Sequence, residues 1–493
     1  MRFQITKGIN NNYLLTESKG FDPASINALI ESFKQFDWRT NKVLIISGDS
    51  LPSEEIQDLL SQYLLQGYLS ECILIGSETQ SKGFKHFPTI DHFISSLKVD
   101  PIFDSAIFIT GSSSKHTRYV KSYLADNAIS MILSVDLGAI SHNIEFYRNK
   151  TKPRNKVMAM VKANAYGHGL VEVAQHLKNQ VDYFGVAYVN EGITLRREGI
   201  STPIMVMNPS KGDLELCVDY KLEPEIYSLY TLDQLQKLLL HKKVSVGVHI
   251  EIDTGMNRLG ITPSEVDQLI QILQTSEFIR IHGIYSHLAC AEDANEDAFN
   301  RKQLEEFNTI AAKIESALDK NTIKHIRNSA GTLRYPSSPT DMIRLGIGMY
   351  GVDSNNMYQD QIKNISCLKT TISQIRTVRK GETIGYNRTF KAPKDMIVAT
   401  IAIGYADGFK RLFSNGRGQV MINGMRVTVV GRVNMDMTMV DISNCTAKEG
   451  DEVIIFNEVL KPTDLAKKAE TIPYEIFTSV GERVRRSYLL EIG

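Results

Sequence analysis

Two hydrophobic patterns alternate along most of this chain. Short unbroken apolar runs, the mark of buried strands, are separated by longer stretches in which apolar residues return every third or fourth position, the mark of amphipathic helices. Near the N-terminus the runs are Lys42–Ile46, Cys72–Ile75 and Ala106–Thr110, with helical periodicity at Ser25–Phe33 and Glu54–Leu65. That βαβ texture predicts a small parallel, Rossmann-like α/β sheet over residues 1–128.

The alternation restarts near Met131 and continues to residue 354. Its strand candidates are Val157–Val161, Tyr183–Ala187, Ile204–Met207, Pro224–Tyr227, Val246–Ile252, Ile281–Tyr285, Ile323–Ile326 and Ile343–Leu345. Helical stretches such as Leu170–Leu177 and Pro263–Leu273 lie between most of them. This succession predicts a (β/α)8 barrel, with a doubly wound open sheet as the alternative that periodicity alone leaves open. From 355 to 493 the texture becomes strand-rich with glycine-bounded turns: Thr370–Val378, Met396–Ile403, Gln419–Ile422, Arg426–Val430 and Glu452–Phe456, plus a short helix near Pro462–Lys468. A β-rich C-terminal domain is expected there.

Composition narrows the partners. The 56 basic and 56 acidic side chains cancel, so no global field draws nucleic acid or an anionic membrane. The five cysteines are scattered, with no CxxC pair, so neither a disulfide framework nor a zinc site is expected. MRFQITKGINNNY lacks the apolar core of a secretory signal, and no apolar run approaches the about 18 residues of a membrane span. A cytoplasmic protein is the expectation.

In a barrel of this kind, reactive residues stand just after the strands. Lys162 follows the first strand in VKANAYGHG, and Asp253–Arg258 follows the fifth. His287 follows the sixth and Ser329 the seventh, while the eighth carries Arg344 with Gly346 and Ile347 behind it. An amine at a strand mouth, with a hydroxyl and small residues after strands seven and eight, suits a cofactor that bears an aldehyde and a phosphate. Taken singly, each residue has a plainer reading: a solvated lysine, a packed tyrosine, a structural arginine.

Together they resemble the alanine racemase family. VDLGAISHNI, VKANAYGHG, IDTGMNRLGI, RLGIGMYG, IGYADG and VGRVNMDMTMV occur in the family's order from about Met131 to the C-terminus. The resemblance implies a pyridoxal 5'-phosphate (PLP) barrel followed by a β domain, working as a homodimer whose sites mix residues of both subunits. It implies that Lys162 carries the cofactor and serves as one base, with Tyr386 in IGYNRTF as the second. It implies Tyr166, His287, Ser329, Arg344, Gly346 and Ile347 as cofactor contacts, and Arg258, Met435 and Tyr405 as substrate contacts. The arginine is expected against the cofactor's ring nitrogen, and the His287–Arg344 pair is expected to tune the tyrosine. The product would be D-alanine for peptidoglycan.

Two departures stand out. Glu482 occupies a place where the family often has a phosphate-binding tyrosine, which leaves serine open as a substrate. Glu251 occupies a place where several members have a carboxylated lysine that orients an arginine, so a Glu251–Arg258 ion pair is expected in a supporting role.

The front segment resembles another family, the C-terminal domain of Mur ligases, through INNNYLLTESKGFDPASINALIESF, KVLIISGD, CILIG and IFITGSSS. No GxxxxGK[ST] loop exists to cradle ATP phosphates, so a non-catalytic remnant is expected. Competing readings of the whole chain are another PLP-barrel enzyme, such as a diamino-acid decarboxylase or a broader racemase, and a PLP-carrying regulatory protein. The Tyr386 and Asn434-Met435-Asp436 segments argue against decarboxylation, and the long β domain with a second base argues against a regulatory protein, while Glu482 keeps serine open.

Overall fold

The computed structural model describes residues 2–17, 23–33, 39–48, 52–76, 83–111, 114–125, 131–210 and 212–491. Residues 18–22, 49 and 112–113 of the segments quoted above lie outside it. The chain forms two compact units, one of residues 139–365 and 473–478, the other of residues 1–138, 366–472 and 479–493.

The first unit is a closed barrel. Its strands, in chain order, are Lys156–Met160, Tyr183–Val186, Ile204–Val206, Glu223–Ile226, Val246–Glu251, Ile279–Tyr285, Ile323–His325 and Met342–Leu345. Each of the first six pairs in parallel with the next along the chain, and the eighth pairs with the first. Asp341 N to Lys324 O, 2.8 Å, and Arg344 N to Arg327 O, 3.0 Å, join the seventh and eighth. Strands in chain order that close on themselves exclude the doubly wound alternative, whose order reverses at a switch point. Closure buries both faces of every strand, so the strands read as continuous apolar runs. The helices that cover them turn matching stripes inward; Leu269, Ile270 and Leu273 of Val266–Gln274 pack with Ile250, Ile284 and Phe307.

The second unit holds a sheet of 14 strands and a separate two-stranded hairpin of Thr383–Ile384 and Phe390–Lys391. One end is parallel, in the order Lys85–Phe87, Glu71–Ile75, Asn41–Ser47, Ser105–Thr110, Tyr13–Glu17, with helices in the connections. The other end holds the predicted C-terminal strands, mostly antiparallel, and the helix Pro462–Lys468 falls as read from the sequence. Between the ends lie three strands that the apolar pattern did not disclose: Arg2–Lys7, Arg485–Glu491 and Ile132–Asp136. Arg2–Lys7 pairs antiparallel with Arg485–Glu491, from Arg2 opposite Glu491 to Thr6 opposite Ser487. Gln4 Nε2 also donates to Ser487 Oγ at 3.0 Å.

The division differs from the three blocks expected. Residues 1–128 and most of 355–493 share one sheet, Ile132–Asp136 joins that sheet rather than the barrel, and Pro473–Thr478 belongs with the barrel. For the strands the reason is hydrogen bonding: an edge strand left open is a row of unmet N–H and C=O groups, and Arg2–Lys7, Arg485–Glu491 and Ile132–Asp136 each cover one.

A chain lacking residues 1–125 therefore exposes the long edge of Arg485–Glu491. We expect such a chain to keep its barrel residues and its activity per soluble molecule, but to self-associate, as sedimentation velocity would read. A monodisperse chain of unchanged melting temperature would contradict the edge-capping role.

Candidate active site

The chain leaves the first barrel strand through Val161 and turns at once into an unusual conformation. Ala163, Asn164, Ala165 and Tyr166 all have φ between 51° and 54°, and Gly167 follows at 85°. Left-handed backbone costs an L-residue about 1–2 kcal/mol each, so four in succession must be over-determined by their surroundings. The braces are explicit. Glu191 accepts from Ala163 N at 2.6 Å, and Asn164 Oδ1 accepts from Leu170 N at 2.8 Å. The Tyr166 ring stacks on Tyr350 at 4.6 Å, while Tyr350 donates to Met160 O at 2.9 Å. At Gly167 a Cβ would sit 2.3 Å from Phe477 O, so the turn leaves no room for a side chain there.

This turn fixes Lys162 at the wall of a cavity of about 250 Å³ at the C-terminal ends of the strands. Tyr166, Arg258, His287, Asn328, Ser329, Arg344 and Gly346 share the lining. Burial lowers the lysine pKa, and the charges of Arg258 and Arg344 lower it further, which favours a neutral, nucleophilic amine.

Arg344 is the most heavily bonded group here. Its Nη1 donates to His325 O at 2.8 Å and meets His325 Nδ1 at 3.1 Å. Its Nη2 donates to Ser286 O at 2.8 Å and meets His287 Nδ1 at 3.1 Å. Burial brings its pKa down to about 10, so it remains a cation at neutral pH. His287 is driven down to about 3 by burial and by Arg344, Arg258 and Lys162, and is neutral. Ser329 Oγ accepts from Gly346 N at 3.0 Å and Gly348 N at 3.3 Å, which leaves its own proton free to donate. Gly346 is glycine for a reason: a Cβ would lie 2.7 Å from the Tyr166 hydroxyl. Ile347, one residue on, is buried and does not line the cavity.

The three site residues expected from the C-terminal domain belong to the other unit, and none lines this cavity. Tyr386, Tyr405 and Met435 are all exposed. Tyr405 N donates to Asn434 O at 3.0 Å and Ala406 N to Met435 O at 3.1 Å, so the Tyr405 turn and the Met435 backbone are brought together. Gly404 makes this possible, since a Cβ there would lie 2.2 Å from Met435 O. Glu482 is exposed, and Arg483 pairs instead with Asp407 at 2.7 Å and Asp436 at 2.5 Å.

Two features escaped the sequence. Tyr474 and Thr478, on the short helix Pro473–Thr478, line the cavity. Glu225, on the fourth strand, is 1% exposed and lies beside Glu251. Burial raises the Glu225 pKa well above the carboxylate range and Glu251 raises it further, which favours the protonated form of Glu225. The expected Glu251–Arg258 ion pair does not form. Glu251 Oε2 and Glu225 Oε1 are buried without a hydrogen-bond partner, as is the Tyr285 hydroxyl nearby. Glu251 points along the barrel interior toward another acid, and Arg258, on the exposed turn after the strand, is left without a partner.

This arrangement revises what an amide should do. Gln at 251 can donate to Glu225, as an amide N–H beside a carboxyl oxygen. We expect Glu251→Gln to retain activity within about threefold, whereas Glu225→Gln/Glu251→Gln raises KM about tenfold, roughly 1.4 kcal/mol. Steady-state kinetics in both directions would read this, and a collapse of the single variant would contradict it.

Comparisons with known proteins agree with this geometry. The family model described as "Alanine racemase, N-terminal domain" matches residues 135–354, and "Alanine racemase, C-terminal domain" matches 365–488. An alanine racemase of Desulfosudis oleivorans is 34% identical over 383 residues, 73% of this chain and 97% of the relative. Alanine racemase 2 of Bacillus subtilis is 35% identical over 376 residues, covering 72% and 94%. Among solved structures, the alanine racemase of Clostridium difficile 630 superposes with a TM-score of 0.69 at 32% identity, covering 74% of this chain and 98% of that one. That of Bartonella henselae, solved with covalently bound pyridoxal phosphate, gives 0.67 at 30%, covering 73% and 99%. A closed parallel barrel with Lys162 at its mouth, followed by this β domain, makes the chain a member of the alanine racemase family.

Proposed function

We infer that this protein interconverts L- and D-alanine with pyridoxal phosphate held at Lys162, and that it does so in the cytoplasm, supplying D-alanine for the cell wall. One observation carries the reading: a half-buried amine, biased toward its neutral form by desolvation and by two guanidiniums, faces a cavity that also offers a free hydroxyl proton. That donor set fits the cofactor. Lys162 would take its aldehyde carbon, Ser329 and Tyr166 its phosphate, and Arg344 its ring nitrogen. Gly346, with the Ile347 backbone beside it, would border the phosphate. When bound, the cofactor withdraws electrons from the substrate Cα and acidifies its proton.

The chain's own residues do the rest. Lys162 Nζ exchanges the α-proton on one face of the cavity. Racemisation needs a second base on the opposite face, and the two phenols on the cavity wall are poor candidates: burial pushes Tyr166 far above its ordinary pKa and Tyr474 up to about 12. Tyr386, exposed in the β domain, supplies that base from the second subunit of a homodimer. Met435 and Tyr405 accompany it and narrow the entrance for the substrate. His287, neutral and holding its Nδ1 toward Arg344, offers Nε2–H to the tyrosine oxygen and stabilises its anion. Arg258 holds the substrate carboxylate. Decarboxylation needs no second base, so the exposed tyrosine turn favours racemisation.

The front sheet is Mur ligase-like and non-catalytic. Its Rossmann-like parallel order supports this, as does the lack of a phosphate-binding loop in its sequence.

L-to-D conversion assayed with alanine, serine and lysine side by side tests the substrate, with alanine expected to dominate. Lys162→Ala should abolish both turnover and the visible absorption of the lysine-bound cofactor; retained absorption would overturn the assignment. Mixing Lys162→Ala and Tyr386→Phe subunits should restore activity through one complete site in each mixed dimer. No recovery after subunit exchange would refute the shared site.

A further inference from the structure

The barrel interior carries an unbroken chain of hydrogen bonds away from the cavity. It starts at His287, passes to Arg344 Nη2 at 3.1 Å, and leaves through Nη1 to His325 Nδ1 at 3.1 Å. His325 Nε2 meets His249 Nδ1 at 2.9 Å, and His249 Nε2 meets Glu223 Oε2 at 2.8 Å. Glu223 Oε1 then meets His282 Nδ1 at 3.0 Å. Glu223 is the first residue of the fourth strand, at the mouth opposite the cavity, and His282 is exposed there.

Donor and acceptor rules fix the direction of every link. A guanidinium has five donors and no acceptor, so both His325 Nδ1 and His287 Nδ1 must accept. Burial drives the His325 pKa well below its ordinary value, with Arg344 and His249 adding to it, so the ring is neutral. Its one proton is therefore on Nε2 and is donated to His249 Nδ1. His249 in turn carries its proton on Nε2 and needs an acceptor at the far end. Glu223 is that acceptor. Burial alone would raise its pKa, but hydrogen bonds from His249 and His282 hold it at about 2. Tyr183 and Arg196 also face it.

Two strand glycines give the chain its room. At Gly283 a Cβ would lie 2.4 Å from His249 Nδ1 and 3.0 Å from His325 Nε2, between the two linked rings. At Gly247 it would lie 2.3 Å from His282 Nδ1. Glycine weakens a strand and is retained where another group approaches closely.

We propose that Glu223 is a positioning residue for the reaction, fixing through His249 and His325 the proton placement that holds the Arg344 fork and the Nε2–H form of His287. It never touches the substrate. An ionised carboxylate cannot donate, so it forbids the reversed chain, in which His325 Nδ1–H would confront a guanidinium N–H. The proposal extends the racemase reading but does not depend on the substrate, because proton placement is measurable without turnover.

The experiment is long-range ¹H–¹⁵N correlation of the ¹⁵N-histidine-labelled holoenzyme, with the rings assigned by single substitutions. In the wild type, His249, His325 and His287 are expected to be neutral with the proton on Nε2. Glu223→Gln, whose amide can donate, should shift the His249 and His325 signals and lower kcat about tenfold in both directions, the range of an outer partner of a bonded imidazole. Gly283→Ala should do the same by wedging the two rings apart. His282→Asn removes only the outer partner and should leave the His325 signal in place. A wild-type His249 or His325 protonated on Nδ1 or on both nitrogens overturns the proposal, even if every variant fails to fold. A Glu223→Gln enzyme with unmoved ring signals overturns it as well, whatever its rate. If the Nε2–H forms are found but the purified protein does not racemise alanine, the functional reading falls and the relay stands.

Discussion

A guanidinium at the centre of a barrel constrains everything around it. Arg344 is 2% exposed, and its N–H groups must meet acceptors or cost the full desolvation of an unpaired charge. A closed parallel barrel offers few acceptors inside, because the strand carbonyls are spent on neighbouring strands. The chain supplies them at strand ends, where pairing stops: the carbonyls of Ser286 and His325, and the ring nitrogens of His287 and His325. The Tyr285 ring lies under the guanidinium at 5.2 Å, and stacks on His325 at 5.0 Å. Once these partners are fixed, neither histidine is free to choose its tautomer. The same contacts orient the only strong cation in the cavity whose geometry is rigid.

Lys162 is held by a different device. Its side chain is flexible, and what is fixed is the backbone that launches it. Four left-handed residues in a row are tolerated because Glu191, Asn164 and the Tyr166–Tyr350 stack each satisfy a group that the turn exposes. The strain is thus stored beside the amine and balanced by packing behind it. The two cations that lower the lysine pKa come from separate strands, so the amine senses the closure of the barrel as a whole.

Much of this was legible in the chain. Buried parallel strands are continuous apolar runs, and all eight were read near their observed places; Gln419–Ile422 and Glu452–Phe456 matched to the residue. Lys162, Arg344, His287 and Ser329 were found because strand ends carry barrel chemistry, and the cavity does gather them. What escaped had no local signature. Arg2–Lys7 and Arg485–Glu491 have their partners at opposite ends of the sequence, so no short-range pattern could pair them. Tyr474 lies on a six-residue helix in a segment whose neighbours belong to the other unit. Glu225 reads as a polar interruption of a strand, and only the three-dimensional register reveals that Glu251 is beside it. The expected Glu251–Arg258 pair failed for the same reason: spacing along one strand exit says nothing about an acid on the strand next door.

That acid pair completes the charge balance of the barrel's upper half. Lys162, Arg258 and Arg344 share the cavity wall there; burial lowers the pKa of Lys162 and Arg344, and the charge of Arg258 lowers both further. Two full carboxylates side by side would be intolerable in so dry a place, and two neutral acids would leave the cations uncompensated. Burial, with Glu251 beside it, pushes Glu225 toward its protonated form and so avoids the first. An ion pair with Arg258 would have fixed that arginine to the wall. Without that pair, Arg258 borders the cavity from the exposed turn that follows the fifth strand, while the acids lie buried in the barrel.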